Sequence, residues 1–144
     1  MRFDELPLYE AIYHVRREIA NPGSDDWPHK RREELCRMIQ QHLPIGAPFS
    51  MDQMVDAWLR FRKSPASKTE LTVQVAMAHG RTCFMRGRGK GECSDAIDLD
   101  RIVPGSRAGQ YTVENCMVMC SYHNRQRNDR SLEEYMLASP EEAS

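Results

Sequence analysis

The chain has 144 residues, a length that suits one domain or one domain with an extension. It carries 20 basic and 21 acidic residues, for a formal charge of −1, and 40% of its residues are hydrophobic. This composition excludes collagen, long disordered chains and histone-like proteins of strong positive charge. The sequence has no apolar run near the ~20 residues of a membrane span and no signal-peptide pattern, so we expect a cytoplasmic protein without a membrane partner.

The first part of the chain predicts helices. Apolar residues recur at helical spacing in three segments, and Ser50 with Gln53 forms a capping box at the start of the third. Residues 69–79 favour a fourth helix over a strand. We therefore predict a helical region over residues 1–80, whose methionine and aromatic side chains form a core.

The pattern changes after this region. A Gly- and Arg-rich stretch precedes a strand-like segment over residues 97–103, and a loop leads to a second strand over residues 115–119. A helix from Ser121 follows the second strand. The predicted fold class is thus α+β, with a compact ββα unit over residues 81–130.

A capping box at Ser131 predicts one more helix, within a C-terminal segment over residues 131–144. Charge differs between the parts of the chain: residues 81–130 hold nine basic and six acidic side chains, a net +3, which leaves −4 for the rest. The basic part is a weak indication of a nucleic-acid partner, and a merely solvated surface is the alternative.

Cysteines cluster in the ββα unit. Their odd number, five, argues against a disulfide framework. Two residues separate Cys120 from His123, in the manner of ligands that bind one ion at a strand-to-helix turn. Cys83 and Cys93 are available as the second pair, on a glycine-rich loop. We predict a structural Zn²⁺ held by these four side chains.

The alternative to this zinc site is a set of reduced, buried cysteines with His123 at the surface. His79 is a substitute ligand if His123 points away. Cys116 and Cys36 are expected to be thiols of the core. A zinc site closed by four protein ligands is structural, so any chemistry must occur elsewhere.

Three stretches carry a family resemblance: Asp100-Arg101-Ile102-Val103-Pro104, Gly109-Gln110-Tyr111-Thr112-Val113-Glu114-Asn115 and Cys120-Ser121-Tyr122-His123-Asn124-Arg125-Gln126-Arg127. Together they resemble the HNH endonucleases, also called His-Me or ββα-metal finger nucleases. The resemblance covers Cys83–Asp129, about a third of the chain. It is similar in detail to the Asp-Arg variants among PacI-type restriction enzymes and phage HNH proteins.

This resemblance implies a metal-dependent hydrolase acting on phosphodiester bonds. A catalytic Mg²⁺ or Mn²⁺ would take oxygen ligands from Asp100 and Asn124, with Asn128 as a third. Asn115 would brace the loop between the strands through hydrogen bonds to the backbone. The residues expected to contact nucleic acid are Arg125, Arg127, Arg130 and Tyr111.

Arg101 stands where most members of the family have the histidine that activates water. A guanidinium has a pKa above 12 and is a poor general base. Three interpretations stay open. Arg101 orients the phosphate while Tyr111, His79 or a metal-bound hydroxide handles the proton; or Arg101 has a depressed pKa; or the site is inactive.

The first hypothesis for function is a metal-dependent DNA endonuclease, of restriction or phage type, acting as a homodimer because two strands need two active sites. The helical region over residues 1–80 would then supply dimer contacts or DNA recognition, and its charge favours dimer contacts because it disfavours extensive phosphate contact. The alternatives are a catalytically inactive, zinc-containing nucleic-acid-binding module and a helical interaction protein in which zinc is only a staple.

Overall fold

The computed structural model describes residues 1–19, 27–63 and 68–138. Within these ranges the fold class is α+β, as predicted. The elements are α1 (Leu6–Glu18), α2 (Trp27–Lys30), α3 (Arg32–Gln41), α4 (Met51–Lys63), α5 (Lys68–His79), β1 (Ile97–Arg101), β2 (Cys116–Cys120), α6 (Ser121–Arg127) and α7 (Leu132–Leu137). None of the helices in the described ranges has the length and apolar character needed to cross a bilayer.

Contacts divide the chain into two compact units, one of Asp4–Val73 and one of Met1–Phe3 together with the chain from Gln74 onward. In the first unit, α1, α3 and α4 pack against one another around buried side chains such as Ile12, Ile39 and Trp58. The predicted capping box starts α4: Ser50 Oγ accepts the Gln53 N–H and Gln53 Oε1 accepts the Ser50 N–H. Helical periodicity therefore predicted the core of this unit.

The second unit is built on an antiparallel hairpin in which Ile97 pairs with Cys120 and Arg101 with Cys116. All five residues of β2 are buried. Side chains of β2 such as Met117 and Met119 pack in a buried cluster with Met85 and Tyr135. The backbone of β2 pairs with β1, and the Phe84 N–H donates to the Val118 carbonyl at 2.9 Å.

Strand β1 ends at Arg101, two residues before the predicted end. The Ile102 N–H donates to the Asn115 carbonyl, and the Val103 N–H donates to the Asn115 side chain. These bonds replace the regular ladder with a braced loop.

The first residues of the chain belong to this second unit, although the sequence placed them in the helical region over residues 1–80. The Ile97 N–H donates to the Met1 carbonyl, and the Phe3 N–H donates to the Asp95 carbonyl, each at 2.9 Å. Met1–Phe3 thus runs alongside the start of β1.

Two capped helices complete the second unit. Cys120 Sγ accepts the His123 N–H at the start of α6, and Ser131 Oγ accepts the Glu134 N–H at the start of α7, where the sequence predicted a capping box. Helix α7 places the fully buried Tyr135 in a core cluster that also contains Met85, Met119 and two of the cysteines. Residues 139–144 of the predicted C-terminal segment lie outside the described residues.

Tyr135→Ala tests whether α7 is part of this core. Removal of a fully buried aromatic ring should cost about 3–5 kcal/mol. Amide hydrogen exchange at β2 should report the loss as lower protection. Leu137→Ala on the same helix is the control, since Leu137 is 80% exposed and its truncation should change the stability by less than about 0.5 kcal/mol. Equal amide protection of β2 in the two variants would contradict the packing of Tyr135 in this core.

Candidate metal centre and adjoining cleft

Three thiols and one imidazole converge where β2 passes into α6. The possible ligand atoms of Cys83, Cys93, Cys120 and His123 all lie within 4.8 Å of one another. His123 Nδ1 is 3.0 Å from the sulfur of Cys120, 3.5 Å from that of Cys83 and 3.7 Å from that of Cys93. Tetrahedral zinc bonds of about 2.3 Å to sulfur and about 2.0 Å to nitrogen would hold such atoms about 3.6 Å apart. The predicted ligand set is therefore assembled and fits a metal such as zinc.

The surrounding backbone orients these ligands. His123 Nε2 lies 3.0 Å from the Lys90 carbonyl, which accepts the ring N–H and so directs Nδ1 at the sulfurs. The Cys120 N–H donates to Cys83 Sγ at 3.2 Å. The loop between Cys83 and Cys93 turns back through Gly87, Gly89 and Gly91, each with positive φ, as the sequence predicted for a folded-back loop.

The thiols of this cluster differ in acidity. Burial raises the pKa of Cys83, and burial together with the neighbouring Cys83 raises the pKa of Cys93 to about 12. Burial by itself raises the pKa of Cys120 as well. The backbone N–H groups of His123 and Ser94 stabilise its thiolate more strongly, so the pKa of Cys120 is lowered overall. Cys120 is thus prepared to bind a cation, whereas Cys83 and Cys93 release protons when a metal binds.

The other candidates for this cluster lie elsewhere. His123 is fully buried, so the alternative that placed it at the surface is wrong. His79 is not among the four clustered ligands: its Nε2 lies 2.8 Å from the Val113 carbonyl, and its side chain lines a hollow that Cys83 also lines. Cys116 and Cys36 are buried thiols outside the cluster, as predicted.

Cys120→Ser should remove the metal and unfold the second unit, because the binding free energy of a structural zinc is largely folding free energy. We expect one zinc per wild-type chain by elemental analysis and none in this variant. Cys36→Ser is the matched control: it changes a buried thiol of the first unit and should keep one zinc. The assignment would be contradicted if wild-type protein without zinc had the same thermal melt as wild-type protein supplied with zinc.

A cleft of about 420 Å³ lies beside β1 and α6, separate from the buried cluster. It gathers several side chains that the sequence singled out. They are Asp100, Arg101, Tyr111, Asn124, Arg125 and Asn128. The strand supplies the first two, and the helix that begins at the metal centre supplies Asn124 and Arg125. Asn128 follows this helix as its C-cap residue.

Asp100 is held by a buried arginine. Its Oδ2 lies 2.9 Å from Arg127 Nη1, but Arg127 directs its N–H groups at the carbonyls of Arg101, Ile102 and Arg130. Oδ2 is nevertheless buried in an ion pair with Arg127, and the side chain of Asp100 is 12% exposed where it lines the cleft. Burial raises the pKa of Asp100, and the charge of Arg127 opposes this shift.

The sequence predicted a phosphate contact for Arg127, and the structure assigns it a different position. Its side chain is 1% exposed and joins the end of β1 to the end of α6. Arg127 is therefore a buried structural residue. Arg130 is half-buried and contacts the ring of Tyr135, whereas Arg125 is exposed at the cleft.

The guanidinium of Arg101 contacts the loop that follows β1. Its guanidinium carbon lies 4.3 Å from the centre of the Tyr111 ring, and Nη1 donates to the Gly109 carbonyl. A Cβ at Gly105 would come within 2.7 Å of the guanidinium nitrogens, so a larger residue there would displace the guanidinium. The loop thus holds the cation at the edge of the cleft.

Asn115 braces the loop as the sequence predicted. Its Oδ1 accepts the Val103 N–H, and its Nδ2 donates to the carbonyls of Val103 and Gln110. A Cβ at Gly109 would lie 1.6 Å from the Val103 carbonyl oxygen, which shows how closely the loop closes on itself.

Asp98 was not among the residues that the sequence predicted for this site. Its Oδ2 accepts a hydrogen bond from Asn124 Nδ2 at 3.0 Å. The available signal was its position two residues before Asp100, which puts both carboxylates on the same face of β1.

Comparisons of this chain with protein-family models, with curated proteins and with solved structures find no match. The resemblance to HNH nucleases therefore depends on the residues quoted above and on their arrangement in the ββα unit.

Proposed function

We propose that this chain is a metal-dependent DNA endonuclease of the HNH type. The observation that carries the proposal is the cleft, in which one ββα unit brings together Asp100, Arg101 and Asn124. A carboxylate, a guanidinium and a carboxamide are the groups expected where a cation and a phosphodiester meet.

A divalent cation in this cleft would be held by Asp100 and Asn124, with Asn128 beside them. Mg²⁺ prefers oxygen ligands and keeps several waters, so two protein ligands suffice when phosphate oxygens complete the shell. The carboxylate of Asp100 and the carboxamide of Asn124, which both line the cleft, fit this demand. When bound, Mg²⁺ or Mn²⁺ supplies charge that polarises the scissile phosphate and stabilises the leaving oxygen.

Arg101 binds and orients the phosphate in this proposal. A guanidinium stays protonated and matches two phosphate oxygens, and the contact with Tyr111 reduces the entropy lost when it engages. The proton of the attacking water goes to another group. The sequence offered two side chains as proton acceptors, Tyr111 and His79. Tyr111 lines the cleft, whereas His79 lines a separate hollow.

The proposal includes a homodimer. One ββα unit offers one set of cleft residues, and cleavage of both strands of a duplex requires two. The first unit, α1 to α4, would supply dimer contacts.

Supercoiled plasmid with Mg²⁺ or Mn²⁺, against EDTA, tests the proposal. We expect metal-dependent cleavage that falls by about 10²-fold or more in both variants, because Asp100→Asn removes the negative charge of one cation ligand and Asn124→Ala removes the other ligand. Asparagine is chosen at residue 100 because alanine would leave the buried Arg127 without a facing polar group. Asp95→Asn, at an exposed carboxylate of the same unit, should cleave at the wild-type rate.

Arg101→Ala separates orientation from simple anchoring. At saturating DNA, cleavage should fall about 10²-fold while the dissociation constant for DNA changes less than about threefold. Arg125→Ala is the matched control from the same cleft, and it should weaken binding more than it slows cleavage. Equal losses of binding and cleavage in Arg101→Ala would make Arg101 a phosphate anchor only.

A second candidate is a zinc-containing nucleic-acid-binding module without catalysis. The replacement of the usual histidine by Arg101 and the ion pair between Asp100 and Arg127 favour it. Salt-dependent DNA binding in the absence of any metal-dependent cleavage would support this candidate against the nuclease.

A further inference from the structure

The contact between Asp98 and Asn124 joins the strand to the helix behind the cleft. Asp98 lies on β1 and Asn124 on α6, and the two side chains are half-buried. Asn124 lines the cleft, whereas Asp98 does not line it among the described residues. Asp98 therefore contacts the cleft through Asn124.

The chemistry of the two groups fixes the orientation of the amide. An ionised carboxylate only accepts hydrogen bonds, so the end of the Asn124 carboxamide that faces Asp98 must be the NH₂ group. The carbonyl oxygen is then the end directed away from Asp98. Without this partner, the amide could present either its oxygen or its NH₂ group, and an NH₂ group repels a cation.

We propose that Asp98 is a positioning residue that keeps the Asn124 carboxamide oxygen available to a divalent cation in the cleft. This inference rests on the cation site of the proposed function. It assigns different tasks to the two carboxylates of β1: Asp100 faces Arg127 and binds the cation, while Asp98 orients the second ligand.

A carboxylate at residue 124 makes the orientation irrelevant, because its two oxygens are equivalent. Asn124→Asp therefore provides a background in which Asp98 has nothing to orient. Loss of Asp98 should weaken cation binding when residue 124 is Asn and should not weaken it when residue 124 is Asp. A contribution from the negative charge of Asp98 alone would weaken binding in both backgrounds.

The experiment is a titration of the zinc-loaded protein with Mn²⁺, followed by electron paramagnetic resonance without DNA. Four proteins form the cycle: wild type, Asp98→Ala, Asn124→Asp and the double variant. We expect Asp98→Ala to weaken Mn²⁺ binding by about tenfold, the usual effect of removing the partner of a metal ligand. The double variant should bind Mn²⁺ at least as tightly as Asn124→Asp.

Two controls accompany the cycle. Zinc content and the melting temperature of each variant show that the second unit stays folded. Asp95→Ala removes an exposed carboxylate that contacts Arg2 and should leave the Mn²⁺ affinity unchanged.

Equal weakening by Asp98→Ala in both backgrounds would overturn the positioning role, as would wild-type protein that binds no Mn²⁺. Binding of Mn²⁺ with the expected cycle but without DNA cleavage would contradict the nuclease and retain the role of Asp98. The two proposals therefore fail on different measurements.

Discussion

Convergence of three thiols and an imidazole at the start of α6 is the constraint on which the second unit depends. A two-stranded hairpin is at most marginally stable in water, and the sheet described here has two strands. The Cys83, Cys93, Cys120 and His123 cluster joins the glycine-rich loop, the end of β2 and the first turn of α6. A metal that binds these ligands contributes its binding free energy directly to folding.

The geometry of the cleft depends on how the Cys83, Cys93, Cys120 and His123 cluster fixes the start of α6. Asn124 follows the ligand His123 directly, and Arg127 lies one turn further along the same helix. Arg127 is buried and bonds to carbonyls at the end of β1, beside Asp100. Once α6 is fixed at the cluster, the side chains of the strand and of the helix meet in one cleft. The two sites therefore offer different ligand atoms, sulfur in the cluster and oxygen in the cleft. They are connected through α6, which begins at the cluster and lines the cleft.

The sequence predicted the parts of this arrangement that depend on local spacing. The two-residue gap between Cys120 and His123, the brace by Asn115 and the capping boxes at Ser50 and Ser131 all involve short separations or one characteristic side chain. Their geometry follows from local backbone conformation and ligand chemistry.

Contacts set by tertiary structure were not predicted. Arg127 was expected to contact phosphate, but it lies four residues after the buried His123 and therefore shares its face of α6. The pairing of Met1–Phe3 beside β1 has no local signal. The bond between Asp98 and Asn124 depends on how α6 packs on the hairpin, which periodicity alone does not specify.

Anomalous diffraction from crystals of the zinc-loaded protein soaked in Mn²⁺, recorded at the absorption edges of both metals, tests the two-site account most directly. The account predicts a zinc peak among the three sulfurs and His123 Nδ1, and a separate manganese peak between Asp100 and the Asn124 carboxamide oxygen. A manganese peak at the sulfur cluster, or none in the cleft, would contradict it.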